Sequence, residues 1–156
     1  MTRVDFYLLP EGAGADPGVV MATCRLCDKA AGAGLKIYVT TRDAALADAV
    51  DGALWSFRQG SFIAHERYTG SAPGEPLPSV LIGSSEPPDS HHGVLINLDT
   101  EVPDFFSRFE RVLELVAGDP AQRTASRTRY KFYRDRGYEL NTYEQSATGG
   151  WAQRKA

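Results

Sequence analysis

Cysteine is scarce here, two residues in 156, so no disulfide framework can staple the chain and a hydrophobic core has to hold it. Long apolar runs are missing as well. The start, MTRVDFYLLPEG, holds a run too short for a secretory signal or a membrane span, which makes the cytoplasm the expected location and gives no membrane role. Positive charge is not in excess: 17 basic residues stand against 20 acidic ones, for a formal net charge of −3. Such a chain does not coat nucleic acid with its whole surface, so any anion it binds is bound locally. The sequence contains no G-x-x-x-x-G-K-[ST], no G-x-S-x-G and no carboxylate pair with a placed partner. A P-loop is thereby excluded, and nothing recommends a hydrolase.

At 42% hydrophobic the chain can bury the core of one domain. Apolar runs rich in β-formers predict strands at Val4 to Leu9, Leu35 to Thr40, Val80 to Ile82, Val94 to Leu98 and Val112 to Val116. Helices are expected between them. The first follows Asp16, a capping residue, and Pro17, suited to the first helical position, and stops at Gly32 and Gly34; the second runs from about Arg42 to Phe57, before Gly60; the third from about Pro120 to Arg136, before Gly137. The first strand, first helix and second strand form a β-α-β unit. Alternation of this kind predicts an α/β fold: a single open, mostly parallel sheet with helices on both faces, Rossmann-like. The domain is expected over 1–144, and the tail 145–156, QSATGGWAQRKA, has little to bury and is expected to be mobile.

Three motifs resemble chemistry. Gly12 and Gly14 in EGAGADPG follow the first strand as a dinucleotide turn would, but Pro17 takes the third glycine position and Asp16 puts a negative charge where phosphate would bind. No phosphate loop and no cofactor are expected. Cys24 and Cys27 form a C-x-x-C that supplies two of the four ligands of a structural zinc. They share a helical stripe with Val20 and Ala31, which places them in the core as small hydrophobes, so no metal is expected. His91 and His92 fall in a Pro/Gly-flanked loop expected to face solvent, and His65 is solitary. No catalytic residues emerge.

The segment RTASRTRYKFYRDRG, Arg123 to Gly137, is different. It holds six of the 17 basic residues and one of the 20 acids, Asp135, which leaves 11 bases facing 19 acids elsewhere. On a helix at about 100° per residue, Arg123, Arg127, Tyr130 and Arg134 share one narrow stripe. Ala121, Ala125, Thr128 and Phe132 fall on the opposite pole, which is expected to face the core. A solvated face usually alternates sign, and only Asp119 is placed to pair with Arg123; nothing at helical spacing neutralises Arg127 or Arg134. Arginine is the base at every position except Lys131, a bias toward bidentate recognition of carboxylate or phosphate. With Tyr130 as an amphipathic wall, the stripe fits either a nucleic-acid strand or the end of an acidic peptide. A patch one helix long fits the short peptide better, because a nucleic-acid track needs several phosphate contacts in a row.

A second surface lies on the second helix. Leu46, Val50, Ala53 and Phe57 form its core stripe and Trp55 sits opposite them. Followed by Phe62 and Ile63, Trp55 is either a protein-docking anchor or covered by a folded-over loop. Two partner surfaces and no active site make an adaptor.

VDFYLL, ALW followed by SFIAHE, GVLINL and above all RYKFYRDRGYELNTYE resemble the chi subunits of bacterial DNA polymerase III, part of the clamp-loader assembly. The likeness spans Val4 to Glu144. It implies a non-catalytic protein with a nucleotide-binding-like α/β fold that lacks a functional phosphate loop. It implies two partners: the psi subunit, and the acidic C-terminal tail of single-stranded DNA-binding protein, hence an indirect association with single-stranded DNA. The resemblance assigns the tail pocket to Val116, Arg123, Arg127 and Tyr130, with Arg134 beside them in the helical stripe, and Arg123 stands where the family pattern leads one to expect lysine. The psi-facing surface falls on Trp55 and Phe62, with Ile63 adjoining. The alternatives are a module that binds single-stranded nucleic acid directly and, resting on Gly12 and Gly14 alone, a Rossmann-type cofactor-binding enzyme.

Overall fold

The computed structural model describes residues 2–10, 15–57, 63–146 and 150–154, with 15–17 described by their backbone alone. Gly12, Gly14, Gly60 and Phe62 lie outside the described residues. In chain order the elements are β1 (Arg3–Leu8), α1 (Ala15–Gly32), β2 (Ile37–Thr40), α2 (Ala44–Ser56), β3 (His65–Arg67), β4 (Val80–Gly83), β5 (Val94–Asn97), a 3-10 turn (Phe106–Arg108), β6 (Arg111–Val116), α3 (Pro120–Asp135), β7 (Glu139–Gln145) and β8 (Trp151–Gln153). They make one open eight-stranded sheet in the order β3-β4-β2-β5-β6-β1-β7-β8. Every pairing is parallel except that of β8 with β7. The five expected strands and three expected helices are all present, and the α/β reading with helices on both faces holds.

Local chemistry explains the helix boundaries. Asp43 caps α2 by accepting from the Ala45 and Leu46 amides at 3.0 and 3.2 Å, and Asp119 caps α3 through the Gln122 amide at 3.2 Å, with Pro120 in the first turn. Gly34 and Gly137 close α1 and α3 in the left-handed region, at φ of 81° and 80°. The central strands β2, β5 and β6 are buried on both faces, so they read as continuous apolar runs.

Side chains alternate between two cores. Tyr7, Val39, Ile96 and Leu113 point to the face covered by α1 and α2, where Val19, Cys24, Cys27, Val50 and Leu54 meet them. Phe6, Leu8, Tyr38, Leu95, Val112 and Val116 point to the other, covered by α3 and the aromatic loop of Phe106 and Phe109.

Three strands were not expected. β3 (HER) and β7 (ELNTYEQ) are polar and half exposed, one at a sheet edge and the other covered by only three residues of β8, so they lack the apolar run that marks a buried strand. The segment expected as a mobile tail contributes β8, whose Trp151 meets the Tyr7 ring edge-on at 5.0 Å. The folded sheet therefore continues past residue 144. No helix of the described residues is long and apolar enough to cross a membrane.

Candidate functional site

The roll of α3 decides the site. Its buried residues are Ser126, Arg129 and Tyr133, not the pole of Ala121, Ala125, Thr128 and Phe132 that the spacing predicts; Ala121 and Thr128 are exposed. The helix is turned by about a quarter of a revolution from that expectation, judged at 100° per residue. The cause is a buried ionic cluster. Glu114, in the middle of β6 and fully buried, accepts from Arg129 Nε at 2.9 Å, from the Tyr133 hydroxyl at 2.7 Å and from Asn97 Nδ2 at 3.0 and 3.1 Å. Arg129 also donates to the Thr100 carbonyl at 2.9 Å. Burial pushes the Glu114 carboxyl up, while Arg129 and the hydrogen bonds from Tyr133 and Asn97 pull it down. Tyr133 is pushed up by burial and by the Glu114 charge and stays a phenol. A lone acid inside the apolar run VLELV was the sequence signal for this cluster, since a charge in a doubly covered strand requires a partner.

This roll carries the arginine stripe to one flank of α3, where it borders an open cleft of about 850 Å³. Arg123, Ser126, Arg127 and Tyr130 form its helical wall; Phe6 and Leu8 of β1 with Leu140 and Thr142 of β7 underlie it; Gln153 and Arg154 close the far side. Tyr130 packs against Phe6 with ring centroids 5.4 Å apart, which presents an aromatic wall beside an apolar floor.

The six bases of the segment have separate roles. Arg129 is structural. Arg123 donates to the Leu9 carbonyl at 2.6 Å, which leaves its Nε buried without a hydrogen bond and fixes its guanidinium at the cleft. Lys131 and Arg134 share the one carboxylate of Asp135, at 3.3 and 3.5 Å, and Arg134 does not line the cleft. The two bases hold the Asp135 carboxyl below its usual value, chiefly through the Lys131 hydrogen bond. Arg136 lies 3.6 Å over the Phe132 ring. Arg127 is exposed, lines the cleft and makes no hydrogen bond or ion pair among the described residues. Val116 has no accessible surface and does not line the cleft; Phe6 and Leu8 supply the apolar surface assigned to it. The alternation of β1 between its two faces was the signal for that pair.

Of the second surface, the described residues include Trp55 and Ile63. Trp55 is 61% exposed, as its position opposite the core stripe predicts, and meets the His65 ring at 4.6 Å. His65 in turn lies 3.0 Å from the Asp51 carboxylate. Ile63, at 4% exposure, belongs to the core and has no face to offer a partner; the following strand β3 draws it inward.

The cysteine pair and His91 are structural. Cys24 and Cys27 are buried, and burial pushes the Cys24 thiol up to about 11 and that of Cys27 further still, which suits inert core thiols. No cluster of potential metal ligands occurs among the described residues. His91, expected in solvent, has no exposed surface: its Nε2 meets the Pro78 carbonyl at 2.8 Å and its Nδ1 the Ser90 hydroxyl at 2.7 Å. These two contacts pin the loop between β4 and β5, a role that flanking prolines do not reveal.

Comparison with known proteins agrees with this architecture. The family described as DNA polymerase III chi subunit, HolC, matches residues 1–141. DNA polymerase III subunit chi of Pseudomonas aeruginosa is 42% identical over 144 residues, covering 92% of this chain and 96% of that protein. The subunit of the same name in Escherichia coli K12 is 28% identical over 144 residues, with 91% and 97% covered, and that of Haemophilus influenzae 30% over 137 residues, with 88% and 93% covered. Among solved structures, the crystal structure of T4 UvsW aligns with a TM-score of 0.65 at 8% identity, over 92% of this chain and 41% of that one, a likeness of fold alone. With the family matching nearly its whole length, the chain belongs to the DNA polymerase III chi subunit family.

Proposed function

We propose that the chain is a non-catalytic accessory subunit of DNA polymerase III in DNA replication, and that it works as a two-sided adaptor in the cytoplasm. The α3 cleft takes the acidic C-terminal tail of single-stranded DNA-binding protein, and the Trp55 face docks the psi subunit of the clamp loader. One observation carries the reading: a guanidinium without a partner among the described residues, Arg127, stands at the rim of a cleft whose floor is apolar and whose wall is the Tyr130 ring. A terminal carboxylate with its preceding acids fits the arginines, and an apolar terminal side chain fits the floor. Arg123 is held ready for the same anion by the Leu9 carbonyl.

A labelled peptide of the ten C-terminal residues of the host's single-stranded DNA-binding protein, titrated by fluorescence anisotropy, tests it. The expected affinity is roughly micromolar, because a short disordered peptide loses entropy and buries little area. It falls with added salt, and Arg127→Ala weakens it by about tenfold or more. Absence of binding by folded wild type, together with retention of single-stranded DNA at low salt, would transfer the cleft to the nucleic-acid reading. For the other face, Trp55→Ala is expected to abolish co-purification with psi and leave tail binding intact; loss of both would make Trp55 a purely structural residue.

A further inference from the structure

We infer that the C-terminal strand β8 is part of the ligand site, and that Arg154 is a third anion-binding arginine whose charge Glu144 holds in check. The inference rests on the reading of the cleft as an acidic-peptide site, and it concerns a segment that lies beyond the family match, which ends at residue 141.

The geometry is set by β7. The two strands are antiparallel with Tyr143 opposite Gln153 and Gln145 opposite Trp151, and the Arg154 amide bonds to the Thr142 carbonyl at 2.7 Å. Side chains alternate along a strand, so Trp151 packs on Tyr7 at the α1/α2 face while Arg154 rises on the α3 face beside Thr142. Arg154 therefore borders the cleft opposite Arg123 and Arg127, across the floor of Phe6 and Leu8. The strand is anchored at both ends of its short length, by Trp151 on Tyr7 and by Gln153 Nε2 donating to Asn141 Oδ1 at 3.0 Å. Asn141 in turn donates to the buried Asp5 at 3.0 Å. Arg154 reaches Glu144 at 3.2 Å, with both side chains more than half exposed. An exposed pair of this kind is weak and exchanges its partner readily.

An incoming acidic peptide changes the balance. Its carboxylates are attracted by Arg154 and repelled by Glu144, so the pair opens and the guanidinium turns to the ligand. The site then grips the peptide from two sides, and Glu144 sets how acidic a ligand must be to enter.

The same anisotropy titration, run on the full chain with Arg127→Ala, Arg154→Ala and Glu144→Gln, tests the inference. Arg154→Ala is expected to weaken the peptide by about fivefold, the upper scale of a partly exposed charge pair, and to flatten the salt dependence. Glu144→Gln is expected to tighten it by about twofold to threefold on the same scale, which a loss of folding cannot imitate. If Arg127→Ala abolishes binding while both β8-side variants match wild type, the inference fails and the cleft reading stands. If wild type itself does not bind, both fall.

Discussion

On one face of the sheet α1 and α2 lie against each other and close over an apolar layer of valine, leucine and cysteine. On the other, α3 shares the face with the aromatic loop of Phe106 and Phe109, is fastened by a buried carboxylate and arginine, and leaves the floor on its other flank open. Two helices cover the first face; one helix and a loop cover part of the second, and the remainder, over β1 and β7, is the cleft. The closed face is held by area, which is indifferent to small rotations of a helix. The open face has to be held by direction, because a helix without a neighbour on each side can roll. The Glu114, Arg129, Tyr133 and Asn97 cluster supplies that direction.

The largest effect that would test this contrast is Arg129→Ala. It strands the Glu114 carboxylate in the core and is expected to cost about 3–5 kcal/mol in urea unfolding. Arg129→Met paired with Glu114→Leu is expected to restore much of that stability while weakening the peptide, since the roll of α3 is then unspecified; unchanged peptide affinity in that double variant would mean that packing alone sets the roll. On the closed face, Leu54→Ala removes a fully buried side chain and is expected to cost about 3 kcal/mol with no loss of peptide affinity. A smaller effect concerns His91. Burial lowers its pKa, so the folded state binds fewer protons than the unfolded chain once pH drops below the ordinary histidine value of about 6.5. Stability is expected to be full above that value and to decline on acidification, with a flatter pH profile in His91→Gln. The smallest effect is on Arg127→Ala. Its melting temperature is expected to match wild type, a change under about 0.5 kcal/mol, in contrast to Arg129→Ala two residues away.

Much of the fold was legible. β2, β5 and β6 are buried on both sides and announce themselves as apolar runs, and Gly34 and Gly137 mark helix ends by their own backbone chemistry. β3, β7 and β8 were not, because half-exposed strands near the sheet edges need no apolar pattern of their own and borrow their order from a neighbour. Of the site, Arg123, Arg127 and Tyr130 were legible from helical spacing, which survives any roll of the helix. Val116, assigned by the resemblance, and Ile63, assigned by its place after Trp55, are buried, and Arg134, assigned by spacing, does not line the cleft; none of those grounds says which way an element faces.

Sequence alone thus determined the α/β alternation, the limits of the main elements and the grouping of three arginines on one stripe, all consequences of contacts within a few residues. Tertiary structure decided which of the bases are free. Arg129 and Arg127 are the same residue two positions apart, and only the Glu114 carboxylate, arriving from β6, takes one into the core and turns the other toward the cleft. That choice depends on a partner distant in sequence, and no local pattern encodes its position.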